Sequence, residues 1–357
     1  MDRQRLVTLF RHWGDVEATA NLSPLYAVFG HAVAENEELL ELANEALEGQ
    51  PPPNVLFAAV HALLASTPGE PLAAYYATLG GDKPADADAA ELLARFCRDY
   101  RDELLPVIRT RLVQTNEVRR SAVLLPAFAS IAEDSGKSLA LIEIGPSAGL
   151  NLLFDRYQYH YRESHVGDPA SQVVLDCEPR APMPEFTIPN VASRTGIDLN
   201  PLDVTNPEDV SWLRALLWPE HTDRLALMNA AIEVARREPP TLLRGALFNR
   251  IPELVMNAPA DATACLFATF VLNQFTPAML ERLRQLLLDL STHRELFLVI
   301  MGFSEFIEPG TPRVGDTKVW VLRLRNGAGE YRLSSLANPH GRWIDLCPES
   351  EWHPWRE

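Results

Sequence analysis

Little in this sequence speaks for cross-links, membranes or nucleic acid. Its four cysteines, Cys97, Cys177, Cys265 and Cys347, lie far apart and form no C-x-x-C pair, which argues against both a zinc site and a redox pair. Cys265 stands in an apolar run and reads as a core thiol. No apolar run approaches the roughly 20 residues that a membrane helix needs. The opening Met1-Asp2-Arg3-Gln4-Arg5 holds no signal-peptide core. Positive charge is scarce, with 32 Lys and Arg against 48 Asp and Glu and a net charge of −16. No run of clustered Lys and Arg offsets this, and an acidic surface repels phosphate backbones, so a nucleic-acid partner is disfavoured. His221, His293, His340 and His353 are scattered without metal-ligand spacing. There is no internal repeat and no low-complexity segment. The expectation is a cytoplasmic protein with a small-molecule substrate and no membrane partner. Its oligomeric state is left open.

What is present is length and apolar content. The chain has 357 residues, 47% of them hydrophobic, enough for two domains with sizeable cores. Residues 1–135 read as an all-helical cap domain. Ser23-Pro24 opens one of its helices, with proline at the first helical position, and the run Gln50-Pro51-Pro52-Pro53-Asn54 is a hard break. Residues 136–357 alternate strands with helices, which argues a parallel sheet. The expected strands are 139–144, 191–199, 241–244, 263–272 and 295–301, followed by an antiparallel pair at 318–324 and 330–335. A hairpin is inserted near 157–178. The fold class is therefore α/β, a mostly parallel sheet of methyltransferase-like, Rossmann-like arrangement flanked by helices, behind the helical N-terminal domain.

The chain is organised around residues 139–153. An apolar strand ends in Glu143 and Ile144, Gly145-Pro146-Ser147-Ala148-Gly149 forces a tight turn, and Leu150, Leu152, Leu153 and Phe154 start a helix. Small residues let a ligand approach the backbone, and a helix start offers free N–H groups. A dinucleotide fingerprint would need glycines where Ser147 and Leu150 stand. Read as acid-x-Gly-x-small-x-Gly, the stretch looks like the first motif of S-adenosylmethionine-dependent methyltransferases, with Ser147 where that family usually has glycine. An ordinary strand–helix turn is the alternative.

In open parallel sheets ligands sit beyond the carboxyl ends of the strands. This makes candidates of Glu143, Gly145, Ser147, Gly149 and Asn151 after the first strand and of Asp198 and Asn200 after the second. Gly245 follows the third strand, Thr269 the fourth, and Gly302, Phe303, Ser304 and Glu305 the fifth. A carboxylate at the second strand's end accepts two hydrogen bonds at once, as ribose hydroxyls require. Asp198 fits that role, with Asp203 and a plain turn aspartate as alternatives. The polar stretch Gln114-Thr115-Asn116-Glu117-Val118-Arg119-Arg120-Ser121 reads either as a solvated helix start, capped by Thr115 or Asn116, or as substrate contacts at the mouth of the glycine turn. In the second reading Gln114, Asn116, Glu117 and Arg120 bind substrate. Gly-Pro-Ser-Ala-Gly also spells the nucleophile elbow of α/β-hydrolases. A Ser147 nucleophile would need a downstream histidine, His293 or His340, and a hydrolase core would place strands before the elbow, where this chain has helices.

With these residues in hand, the chain resembles a bacterial family known as a domain of unknown function. The resemblance rests on residues 114–126, 143–157, Gly196-Ile197-Asp198-Leu199-Asn200-Pro201-Leu202-Asp203, residues 212–220 and His340-Gly341-Arg342-Trp343. It covers nearly the whole chain and implies a methyltransferase-like domain behind a helical one, with no activity attached. The chain departs from the family at Ala246, where Asp is usual, and near Ala268, where His is usual. Those departures imply an altered or lost ancestral activity. Three readings follow: a methyltransferase with S-adenosylmethionine as cofactor, a non-catalytic ligand-binding or regulatory protein, and a serine hydrolase.

Overall fold

The structure, a computed structural model, describes residues 1–302, 304–308 and 316–355. The chain folds as two compact units, Met1–Thr115 with Thr205–Met228, and Asn116–Val204 with Asn229–Glu357.

The first unit is helical. Its N-terminal part comprises α1 (Arg3–His12), α2 (Pro24–Glu35), α3 (Glu37–Ala43), α4 (Pro52–Leu64), α5 (Ala87–Asp99) and α6 (Arg101–Thr110). Helix starts follow local chemistry. The Ser23, Asn36 and Asp86 side chains accept from the Tyr26, Leu39 and Ala89 amides, satisfying donors that a helix leaves open. The triple proline sets the entry to α4, with Pro52 and Pro53 in its first turn. Trp13, Tyr26, Phe57 and Trp218 pack ring against ring at the centre.

Two corrections concern the division of the chain. The boundary expected at 135/136 falls at 115/116, because α7 (Arg120–Ser135) packs on the sheet of the second unit. Phe128 of α7 lies 4.8 Å from the Phe154 ring and 5.3 Å from that of Phe267. Residues 205–228, expected with the sheet, join the helices instead. There α8 (Pro207–Ala215) buries Trp212 and Leu213, and Trp212 Nε1 donates to the Leu112 carbonyl at 2.8 Å. The next helix, α9 (Thr222–Arg237), spans the second boundary.

The second unit is a mixed α/β fold. Its strands are β1 (Ser138–Ile144), β2 (Gln158–Tyr161), β3 (Ser164–Gly167), β4 (Val174–Asp176), β5 (Glu178–Pro179), β6 (Val191–Asp198), β7 (Thr241–Arg244), β8 (Ala262–Thr269), β9 (Leu296–Gly302), β10 (Thr317–Arg325), β11 (Ala328–Ala337), β12 (Trp343–Leu346) and β13 (His353–Trp355). The large sheet runs β5-β12-β11-β10-β9-β8-β1-β6-β7, with β13 on β11. The five strands from β7 to β9 are parallel, and β10 and β11 continue antiparallel. One face, with Ile142, Ile144, Leu266, Ala268 and Leu298, packs under α10 (Leu247–Asn257) and α11 (Pro277–Ser291). The other face carries Phe267 toward α7. Because side chains alternate along a strand, Glu143, paired with Phe267, belongs to the α7 face, and Ala268 belongs to the opposite core. Ala268 therefore does not mark a ligand surface.

Three local expectations also change. The segment after Gly149 is not an α-helix but a seven-residue 3-10 stretch, Leu150–Arg156, with Leu153 outside helical geometry. The Tyr157 and Tyr159 hydroxyls, donating to the Leu150 and Phe154 carbonyls, take acceptors that an α-helix would use. In the inserted hairpin the antiparallel partner of β2 is β3, and β4 pairs with β2 in parallel. The fourth core strand stops at Thr269, because Phe270 turns left-handed (φ 62°) and leads into the 3-10 turn Val271–Gln274.

Candidate functional site at the carboxyl edge of the parallel strands

The strand order reverses between β1 and β8. From β1 the chain goes to β6 and then β7 on one side, and later to β8 and β9 on the other. Such a switch point opens a crevice beyond the strand ends. Gly145, Ser147 and Gly149 all have positive φ there (70°, 55° and 72°). Glycine adopts this conformation freely and serine at a cost of about 1 kcal/mol, which explains why glycine is the expected residue at 147.

The turn is braced from within. The Gly145 amide donates to the Ile197 carbonyl at 2.9 Å, and the Gly149 amide to the Pro146 carbonyl at 2.8 Å. The Ser147 amide donates to Asp198 Oδ2 at 3.0 Å, and the Leu150 amide to Asn116 Oδ1 at 3.3 Å. Side chains also cover the glycines. A Cβ on Gly145 would stand 2.7 Å from Val271 Cγ2, and one on Gly149 would stand 2.9 Å from both Leu242 and Pro240.

Asp198 holds this edge together. Besides the Ser147 amide it accepts from the Asn200 amide at 2.8 Å, and its carbonyl accepts from the Gly245 amide at 3.0 Å. Arg244 in turn donates to Asn200 Oδ1 at 3.0 Å. The turn role is thus one that its carboxylate performs in this structure.

Around Glu143 the polar groups are buried. Glu143 itself is 1% exposed and takes a hydrogen bond from Asn151, whose Oδ1 accepts from Ser121 Oγ at 2.9 Å. Glu143 Oε2 lacks a hydrogen-bond partner among the described residues. Burial, and then the Asp198 carboxylate, push the Glu143 carboxyl up to about 8, with Arg120 opposing. Arg120 lies with its guanidinium 4.4 Å from the Phe270 ring centre and donates from Nε to the Pro339 carbonyl at 3.0 Å. Glu117, also buried, faces His340 Nδ1 at 3.4 Å. Gly341 (φ 72°) lets the following turn touch Arg119, where a Cβ would meet the Arg119 carbonyl oxygen at 2.3 Å.

The structure thus brings together Asn116, Glu117 and Arg120 with Glu143, Ser147, Asn151 and Asp198. Neither Thr115 nor Asn116 caps α7, whose N-cap is Arg119, because the Asn116 side chain serves the glycine turn instead. Asn200 and Gly245 sit on the β6–β7 side, and Thr269 ends β8, half-buried. Gln114 belongs to the helical unit. Phe303 lies outside the described residues. Sequence reasoning missed Phe270, and it named Ser121 only as part of the polar stretch before α7. A serine inside an apolar helix start was the available signal for Ser121. Of the two histidines a Ser147 nucleophile might use, His293 is exposed and precedes β9, at the opposite edge of the sheet.

Fold and site define an α/β protein with a polar cluster at a sheet switch point. The chain belongs to a family described as uncharacterized proteins conserved in bacteria (DUF2332), whose family model matches residues 7–346. No curated protein and no solved structure matches it. Among the described residues no helix is long and apolar enough to cross a membrane, and no group of three or more His, Cys, Asp or Glu is arranged to hold a metal ion.

Proposed function

We propose that this chain binds S-adenosylmethionine at the carboxyl edge of its parallel strands and methylates a small molecule. The observation that carries the reading is the place of the acid-x-Gly-x-Ser-x-Gly turn, at the end of β1 where the strand order reverses. Glu143 and Asp198, on neighbouring strands, fit the polar ends of the cofactor, and the unpartnered Glu143 oxygen is a buried polar atom open to a ligand. The cofactor would supply the methyl group. Asn116, Glu117 and Arg120 would orient the acceptor, since methyl transfer depends mostly on positioning.

A second reading, ligand binding without turnover, has its own support. The amides of the glycine turn are engaged internally and Val271, Leu242 and Pro240 cover it, so an adenosyl group requires side chains to shift. Calorimetry with S-adenosylmethionine and S-adenosylhomocysteine tests both, with binding expected and Gly145→Arg expected to abolish it. Methyl transfer to small acceptors separates the first reading from the second. Absence of binding together with labelling of Ser147 by a fluorophosphonate would move the assignment to a serine hydrolase.

A further inference from the structure

We infer that His160 and His165 form a two-imidazole site for a divalent transition-metal ion on the outer face of the inserted three-stranded sheet, with Asp176 orienting His160. The site is independent of the reaction proposed above. It starts from the spacing His160-Tyr161-Arg162-Glu163-Ser164-His165. Arg162 and Glu163 make the two-residue turn between β2 and β3, with Arg162 left-handed at φ 55°, as such turns require. Four residues between the histidines then set them directly opposite each other in the antiparallel pair. The His160 carbonyl turns away from β3 and accepts from the Cys177 amide, just past β4, at 3.0 Å. The two histidines are therefore a non-hydrogen-bonded pair, the kind in which side chains stand closest.

The neighbouring tyrosines hold β2 in this orientation. Tyr159 and Tyr161 are buried, and their hydroxyls donate to the Phe154 and Ala122 carbonyls at 2.5 Å each. Side chains alternate along a strand, so His160 lies on the opposite, outer face. Its ring stacks on that of exposed His165, with centres 4.1 Å apart and planes 27° from parallel. Two nitrogens on one tetrahedral zinc ion stand roughly 3.3 Å apart, so small ring rotations bring one nitrogen of each imidazole to that spacing.

Asp176 lies across from His160 on its other side, with Oδ1 3.0 Å from His160 Nδ1. A proton held on Nδ1 leaves the lone pair on Nε2, and a carboxylate behind a metal-bound imidazole also raises its basicity. Among the described residues neither Nε2 of His160 nor either ring nitrogen of His165 has a hydrogen-bond partner. The Arg162 guanidinium is engaged by Glu178. Imidazole suits zinc, nickel and copper rather than magnesium or calcium. Two protein ligands accord with the lack, among the described residues, of any group of three, and water would complete the coordination.

Calorimetric titration of the untagged, chelator-treated chain with ZnCl2 tests the site. The wild type should take up one ion at its tightest site. His160→Ala and His165→Ala should each abolish that binding, whereas His293→Ala, exposed and outside the inserted sheet, should leave it unchanged. Asp176→Ala should keep the one-ion stoichiometry and weaken binding about tenfold or more. Electron paramagnetic resonance of the wild type loaded with one Cu²⁺ should count two coordinated imidazole nitrogens. Failure of the wild type to bind zinc, or binding that survives either histidine substitution, overturns the site. Unchanged affinity in Asp176→Ala overturns the role of Asp176. Should a histidine variant fail to fold, the nitrogen count in the wild type still decides, and fewer than two overturns the inference.

Discussion

Glu143 ties the stability of the second unit to pH. Its carboxyl protonates more readily in the folded chain than in the unfolded one. The stability this provides is complete below the usual carboxylate range and is lost as pH rises toward about 8. Across that window the loss proceeds at about 1.4 kcal/mol per pH unit for one group. Glutamine has nearly the same shape and cannot ionise. Glu143→Gln should therefore match the wild type in urea unfolding at pH 5 and exceed it by several kcal/mol at pH 8.5. An equal difference at both pH values would show that Glu143 is not the titrating group.

At the scale of elements, the β1 turn and the 3-10 stretch after β8 act as one piece. Gly145 has φ 70°, and its missing Cβ leaves the space that Val271 fills. Gly145→Ala then carries two costs: about 1 kcal/mol for a left-handed alanine, and about 1–3 kcal/mol for overpacking. Val271→Ala alone opens a small gap and costs about 1–2 kcal/mol. In the double variant the clash disappears while the backbone term stays. A double-mutant cycle from denaturant midpoints should thus give a favourable coupling of about 1 kcal/mol or more. Strict additivity would mean that Val271 does not cover the turn in solution.

The same elements show what the sequence made legible. The apolar run ending at Glu143-Ile144 and the alternation after it announced five parallel strands, since buried strands and amphipathic helices differ in period. The Thr276-Pro277 start of α11 followed local rules, and the Met279 amide does donate to Thr276 Oγ1 at 3.3 Å. The stretch after Gly149 did not. Its carbonyls are taken by Tyr157 and Tyr159 hydroxyls presented at the start of the inserted three-stranded sheet, and no local pattern encodes that pairing. Glu143, Ser147 and Asp198 were legible as candidates because their places relative to a strand end are set by sequence order. That Asp198 braces the Ser147 amide, and that Asn116 serves Leu150 rather than α7, depends on contacts spanning tens of residues.

Over the whole molecule, two buried titratable groups act in opposite directions, one in each unit. In the helical unit His61 lies fully enclosed, with Nδ1 at 3.2 Å from the Ala215 and Leu217 carbonyls and Nε2 at 2.9 Å from Thr78 Oγ1. Burial pushes its imidazole down to about 4. Unfolded His61 takes up a proton that the folded residue refuses, so the helical unit loses stability as pH falls from about 6.5 toward 4, by roughly 3 kcal/mol in full. Glu143 makes the second unit lose stability as pH rises over much the same span. A net charge of −16 adds general repulsion at high pH but does not single out a unit. Hydrogen-exchange protection, corrected for intrinsic rates, should therefore fall first in 52–64 and 205–219 at pH 5, and first in β1 and α7 at pH 8.5. Loss of protection in the same unit at both extremes would rule out His61 and Glu143 as the groups that set the pH limits of this fold.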